Sequence, residues 1–126
     1  MKLTTHAYLV SLMLLSATAA DAACVYPQAP QAVPNGAKAT KDEMLAGQAS
    51  IKEYSKSVQE TYLPCLEQEK VESLAALDPA DPEYAAKKTA IEAVHAKKHN
   101  AALDELQAVA GRWSEEIKAF NAQSKK

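Results

Sequence analysis

Glu92, His95 and His99 follow one another at intervals of three and four residues. On a helix that spacing puts all three near one face, and two imidazoles four apart can hold Zn, Cu or Ni. Glu-x-x-His also occurs in di-iron bundles, where facing helices add paired carboxylates. Here Glu60 and Glu67 fall near the right level but off the expected inner face, and Lys97 and Lys98 set positive charge alongside. As a metal site, His95, His99 and Glu92 are therefore short of ligands. The competing reading makes His95 a seam histidine and His99 a surface one. At the centre of an apolar stripe, His95 is also a candidate pH sensor, because its charge changes between about pH 5 and 8.

Cys24 and Cys65 are the only cysteines. Without a CxxC pair or a neighbouring histidine they do not suggest a redox or zinc centre. In an exported chain an even count pairs most simply as one disulfide. The loop it closes, about 42 residues, is worth roughly 4 kcal/mol in the chain-entropy model.

Export is read from the first 22 residues. Lys2 and His6 form a short n-region, Ala7 to Leu15 is an apolar core, and small residues follow. That core is too short to span a bilayer, so a cleaved signal is expected and no transmembrane anchor after cleavage. Ala20-Asp21-Ala22 places the cut before Ala23, and Ala17-Thr18-Ala19 offers a second cut before Ala20. An acylated Cys24 is the rival reading, but Asp21 stands where a lipoprotein signal prefers Leu.

The rest of the chain must position these groups. Residues 23–40 carry Pro27, Pro30 and Pro34 and then Asn35-Gly36, an extended polyproline-like arm ending in a turn. Thr40 and Glu43 form a capping box. Beyond it Met44, Ile51, Tyr54, Val58 and Tyr62 make one apolar helical stripe. Leu63, Leu66, Leu74 and Leu77 make another, rotated by roughly 90° on an ideal helix. Pro64 lies between the two sets, so a helix from Lys41 to Leu77 is expected, kinked or broken there. Asp78-Pro79-Ala80-Asp81-Pro82 reads as a turn in which Asp81 caps a second helix running to about Ala122. Its stripe is Tyr84, Ile91, His95, Ala102, Leu106, Val109, Trp113, Ile117 and Phe120, and Gly111 is a place where a last short helix could split off.

A short turn makes the two helices antiparallel neighbours. Matching their levels sets Trp113 beside Gly47, which has no side chain to obstruct the indole. The arm is long enough to run back to Cys65, so the disulfide would pin it along the helices, with Val25, Tyr26 and Val33 covering apolar surface. The expected organisation is a signal peptide at 1–22, an arm at 23–40, a helical domain at 41–122 and a tail at 123–126. The fold class is all-α: a long antiparallel helical hairpin with a disulfide-tied N-terminal arm.

Composition narrows function. The chain has 126 residues and a net charge of −2, and losing Lys2 and Asp21 with the signal leaves that balance unchanged. Nothing there favours nucleic acid or an anionic membrane. Three Gly, one Phe and one Trp suit helices better than a β-sandwich. No nucleophile motif, phosphate loop or His/Asp/Ser grouping is present, so neither enzyme activity nor a cofactor is expected. A two-helix core is thin, which makes a protein partner or self-association, a homodimer included, the natural way to cover the remaining apolar surface.

The stretch from the Pro-rich arm through Pro34-Asn35-Gly36, Thr40, Glu43-Met44 and Tyr54 to Tyr62-Leu63-Pro64-Cys65-Leu66 resembles a family of small exported α-helical proteins of proteobacteria. The resemblance covers roughly residues 24 to 69. It implies an envelope address and the Cys24–Cys65 pairing, and it brings no activity or site residues. Pro64 departs from it, standing where an ordinary helix former is expected. The leading expectation is a periplasmic or secreted binding or structural module: an adaptor, a chaperone-like factor or an envelope component. A periplasmic metal-binding protein using the histidine pair and a secreted factor acting on a host or competitor are the alternatives.

Overall fold

The structure, a computed structural model, describes residues 23–123. The expected signal peptide and the last three residues of the tail lie outside them. Every regular element among the described residues is helical: α1 (Lys41–Lys56), a π-helical segment (Ser57–Tyr62), α2 (Leu63–Ala75) and α3 (Tyr84–Gln123). None of these helices is long and apolar enough to cross a membrane.

α1 starts where its chemistry says it should. The Glu43 amide donates to Thr40 Oγ1 at 3.3 Å, and Glu43 Oε2 accepts the Thr40 amide at 2.7 Å. Two donors at the helix start that would otherwise lack partners are thereby satisfied. That hydrogen bonding holds the Glu43 carboxyl below its ordinary range.

Helical structure then continues through Pro64 to Ala75 without a break. The difference from expectation lies in how the two apolar stripes are reconciled. Proline cannot donate, and its ring crowds the carbonyl four residues back. The chain widens into a π turn just before it, and the Leu63 amide reaches Val58 O, five residues away. A π turn holds one residue more than an α turn. One surplus residue rotates everything beyond it by about 100°, close to the offset between the stripes. Tyr54, Val58, Tyr62 and Leu66 consequently belong to a single buried cluster.

The turn between α2 and α3 is held by its aspartates. Asp78 Oδ1 accepts the Ala80 amide at 2.9 Å, and Asp81 Oδ1 accepts the Glu83 amide at 2.7 Å. Lys87 Nζ lies 2.6 Å from Asp81 Oδ2, and this bond foremost lowers the Asp81 carboxyl below its usual range. α3 runs unbroken past Gly111, so no separate last helix forms. With a good i→i+4 bond available at every step, one glycine costs only about 1 kcal/mol and does not end a helix held by packing on both sides.

Ala102 and Val109 of α3 complete the buried cluster, with Cys24, Ala29, Ile51, Leu63 and Leu106 packed around it. All of the expected α3 stripe is at least half-buried except Ile117, which stays exposed. Contacts between α3 and the rest run in opposite chain order. Glu116 meets Gly36, Trp113 lies at Gly47, and His95 and Lys98 reach Glu69. Residues 23–40 contain no helix, only a turn at 36–38. Val25, expected to cover apolar surface, is 85% exposed instead; its neighbours Cys24 and Tyr26 make the inward contacts.

Candidate functional site

Among the described residues, His95 is the one buried polar side chain besides the tyrosines, with 9% of it exposed. Its Nδ1 lies 2.8 Å from the Ile91 carbonyl oxygen. A carbonyl can only accept, so Nδ1 carries the hydrogen, and in the neutral ring Nε2 is a bare acceptor. That atom faces Glu69 Oε1 at 3.5 Å. Two acceptors cannot satisfy each other, and both His95 Nε2 and Glu69 Oε2 are buried without a hydrogen-bond partner. Protonation at Nε2 would turn the pair into donor and acceptor.

Glu69 is the hub of this arrangement. Lys98 Nζ donates to its Oε1 at 3.0 Å. The Lys98 hydrogen bond is the main cause of a carboxyl held below its ordinary range. Burial opposes that effect, while the charges of Lys98 and His95 and the Cys24 amide reinforce it. One carboxylate thus joins α2, α3 and the N-terminal stretch.

Glu92 and His99 are exposed. With His95 they border a cleft of about 430 Å³ that also includes Leu63, Leu66, Glu67 and Lys70. The spacing that suggested a metal site is present, but the ligands do not converge. His95 spends Nδ1 on its own helix and aims Nε2 at Glu69, while Glu92 lies 4.0 Å from Lys88. Among the described residues no three His, Cys, Asp or Glu side chains are placed to hold a metal ion.

Cys24 and Cys65 form a disulfide with their Cα atoms 5.8 Å apart. Next to it, Tyr26 stands edge-on to Tyr62, ring centres 4.9 Å apart, and its hydroxyl lies 2.7 Å from that of Tyr54. Burial, and then the Tyr26 hydroxyl, push the Tyr54 phenol well above its ordinary value. The disulfide also borders a cleft of about 670 Å³ lined by Ala23, Cys24, Cys65, Gln68, Glu69 and Glu72.

Gly47 and Trp113 mark the far end. A Cβ on Gly47 would lie 3.1 Å from Trp113 Cζ3 and 2.8 Å from two ring atoms of Pro34. The glycine therefore admits the indole and the Pro34 ring together. Sequence reasoning missed Glu69. Level matching through the turn placed it opposite Ala90, whereas His95 and Lys98 lie more than a helical turn further along. Compared with known proteins, the chain matches no family model, no curated protein sequence and no solved structure.

Proposed function

We propose that this protein is an exported helical module of the bacterial envelope, periplasmic or secreted, that binds or braces a partner and catalyses nothing. In this reading α1 to α3 form an antiparallel hairpin, and residues 23–40 are a strap laid along it. The observation that carries it is the Cys24–Cys65 disulfide, since such bonds persist in oxidising compartments and are rare in the cytosol. The pairing of ionisable groups supports a structural role: Glu43 serves its cap, Tyr54 its tyrosine partner, and His95 and Glu69 the junction of helices and strap. Leu45, Val71 and Val94 each keep more than half of their surface exposed, which suits action through helix faces.

Native mass spectrometry of protein isolated from its own cell envelope tests this. The expected species runs from Ala23 to Lys126 less two hydrogens, alone or as a dimer or hetero-complex, without metal. Reduced protein in the cytosol would overturn the export reading. An acyl group on Cys24 would replace the strap with a lipid anchor.

A further inference from the structure

We propose that signal cleavage before Ala23 creates a docking group: the new α-ammonium of Ala23 binds the carboxylates of Glu69 and Glu72 in the cleft beside the disulfide. This rests on the export reading above and adds what the cut does for the folded chain.

The disulfide fixes Cys24 against α2, so the preceding residue has little freedom, and Ala23 borders the same cleft as Glu69 and Glu72. The Cys24 amide lies on the side of the Glu69 carboxylate and helps to hold it ionised. The next nitrogen along the chain is that of Ala23, within about 4 Å of that amide. Glu69 has unused capacity there: Oε1 serves Lys98 and faces His95, while Oε2 is buried with no partner.

Before cleavage the Ala23 nitrogen is a neutral amide with one hydrogen. Hydrolysis of the Ala22–Ala23 bond consumes one water. The Ala22 carbonyl carbon takes the hydroxyl and ends as a carboxylate, and the Ala23 nitrogen keeps the electron pair and takes two protons, one from the water and one released by the new carboxyl. The product is a cation with three donors, where one neutral donor stood. The other charged or titratable groups facing Glu69 are Lys98 and His95 of α3. Both approach Oε1, and Gln68 Nε2 donates to Glu72 Oε1 at 2.8 Å, which leaves Oε2 of each carboxylate to the terminus. Ala20 as the first residue would carry the charge three residues away, so the geometry also favours the cut before Ala23.

The test uses the full chain, exported by its own signal and purified oxidised. Intact mass reads the first residue, and pH-dependent reductive methylation with ¹³C-formaldehyde, followed by NMR, reads the α-amino group. A free terminus titrates at about 7.7–8.0; two carboxylates within a few ångströms should raise it to about 9. The E69Q/E72Q double variant should return it to the ordinary range. So should a glycine inserted between Ala22 and Ala23, which keeps both carboxylates and moves the charge away. An ordinary value in the wild-type chain, or a raised value that survives both changes, overturns the proposal. An exported, oxidised chain that begins elsewhere overturns it and leaves the export reading standing. An uncleaved cytosolic chain overturns both.

Discussion

Replacing Gly47 by alanine tests the packing of Pro34 and Trp113 against α1. Two effects oppose each other. Alanine in a helix interior is favoured over glycine by about 1 kcal/mol. At Gly47 the new methyl would sit 2.8 Å from two Pro34 ring atoms and 3.1 Å from Trp113 Cζ3, and overpacking of this kind costs about 1–3 kcal/mol. The net effect of G47A is therefore a loss of about 0–2 kcal/mol. Gly111 supplies the control, since a Cβ there meets nothing within 4 Å and G111A should gain about 1 kcal/mol. Subtracting one variant from the other removes the propensity effect and leaves the clash. In a domain of this size each kcal/mol moves the melting temperature by about 4–8 °C. Thermal unfolding of the oxidised proteins should thus place G47A at least about 4 °C below G111A. Introducing Pro34→Ala beneath G47A should recover part of the loss. If G47A stabilises as much as G111A does, the Pro34–Gly47–Trp113 contact is not there and the reasoning fails.

Gly36 should be less tolerant still. A Cβ there would collide with the Glu116 carbonyl, a backbone atom that cannot swing aside, so G36A should unfold at lower urea than G47A. The acid limb of stability should depend on Glu69. Its carboxyl is held below the ordinary value of 4.5 when folded, so its contribution is present above that value and is lost as pH falls through the folded one. Urea midpoints measured from pH 6 down to 2.5 should drop less steeply in E69Q; an unchanged slope would contradict the Lys98 pairing. Tyr26→Phe leaves the buried Tyr54 hydroxyl without its partner at 2.7 Å, costing about 1 kcal/mol. The Tyr54 phenol should then titrate lower in ultraviolet absorbance, although burial keeps it above its ordinary value.

What could be read from the sequence divides along physical lines. Local signals were legible: Thr40 and Glu43 announce a helix start, Asp81 caps its turn, and apolar periodicity marks Tyr54, Val58, Ala102 and Val109 for the core. These depend on residues a few positions apart. The cysteine pair needed only a count and a compartment. The rest depends on register. The rotation between the stripes was visible, but a proline bend and a π turn answer it equally well on paper, and only the carbonyl chosen by the Leu63 amide separates them. Glu69 escaped for the same reason, because its partners on α3 depend on accumulated rise across two helices. Glu92 and His95 show the converse. Their spacing is right for a chelate, yet spacing cannot say that Lys88 and the Ile91 carbonyl take the groups first.

The π turn has an evolutionary corollary. Deleting one residue from a long helix normally scrambles every face beyond the deletion. Here the helix carries a spare. Losing Gln59 or Glu60, both exposed, would let the segment relax to ordinary α pitch and return Leu66 to the buried side, with Cys65 still facing Cys24. The obstacle is Pro64, whose ring would again press on the carbonyl four residues back. Indel and proline are therefore coupled characters: a shortened chain should carry an ordinary helix former in the place of Pro64, and a chain that keeps the proline should keep the extra residue.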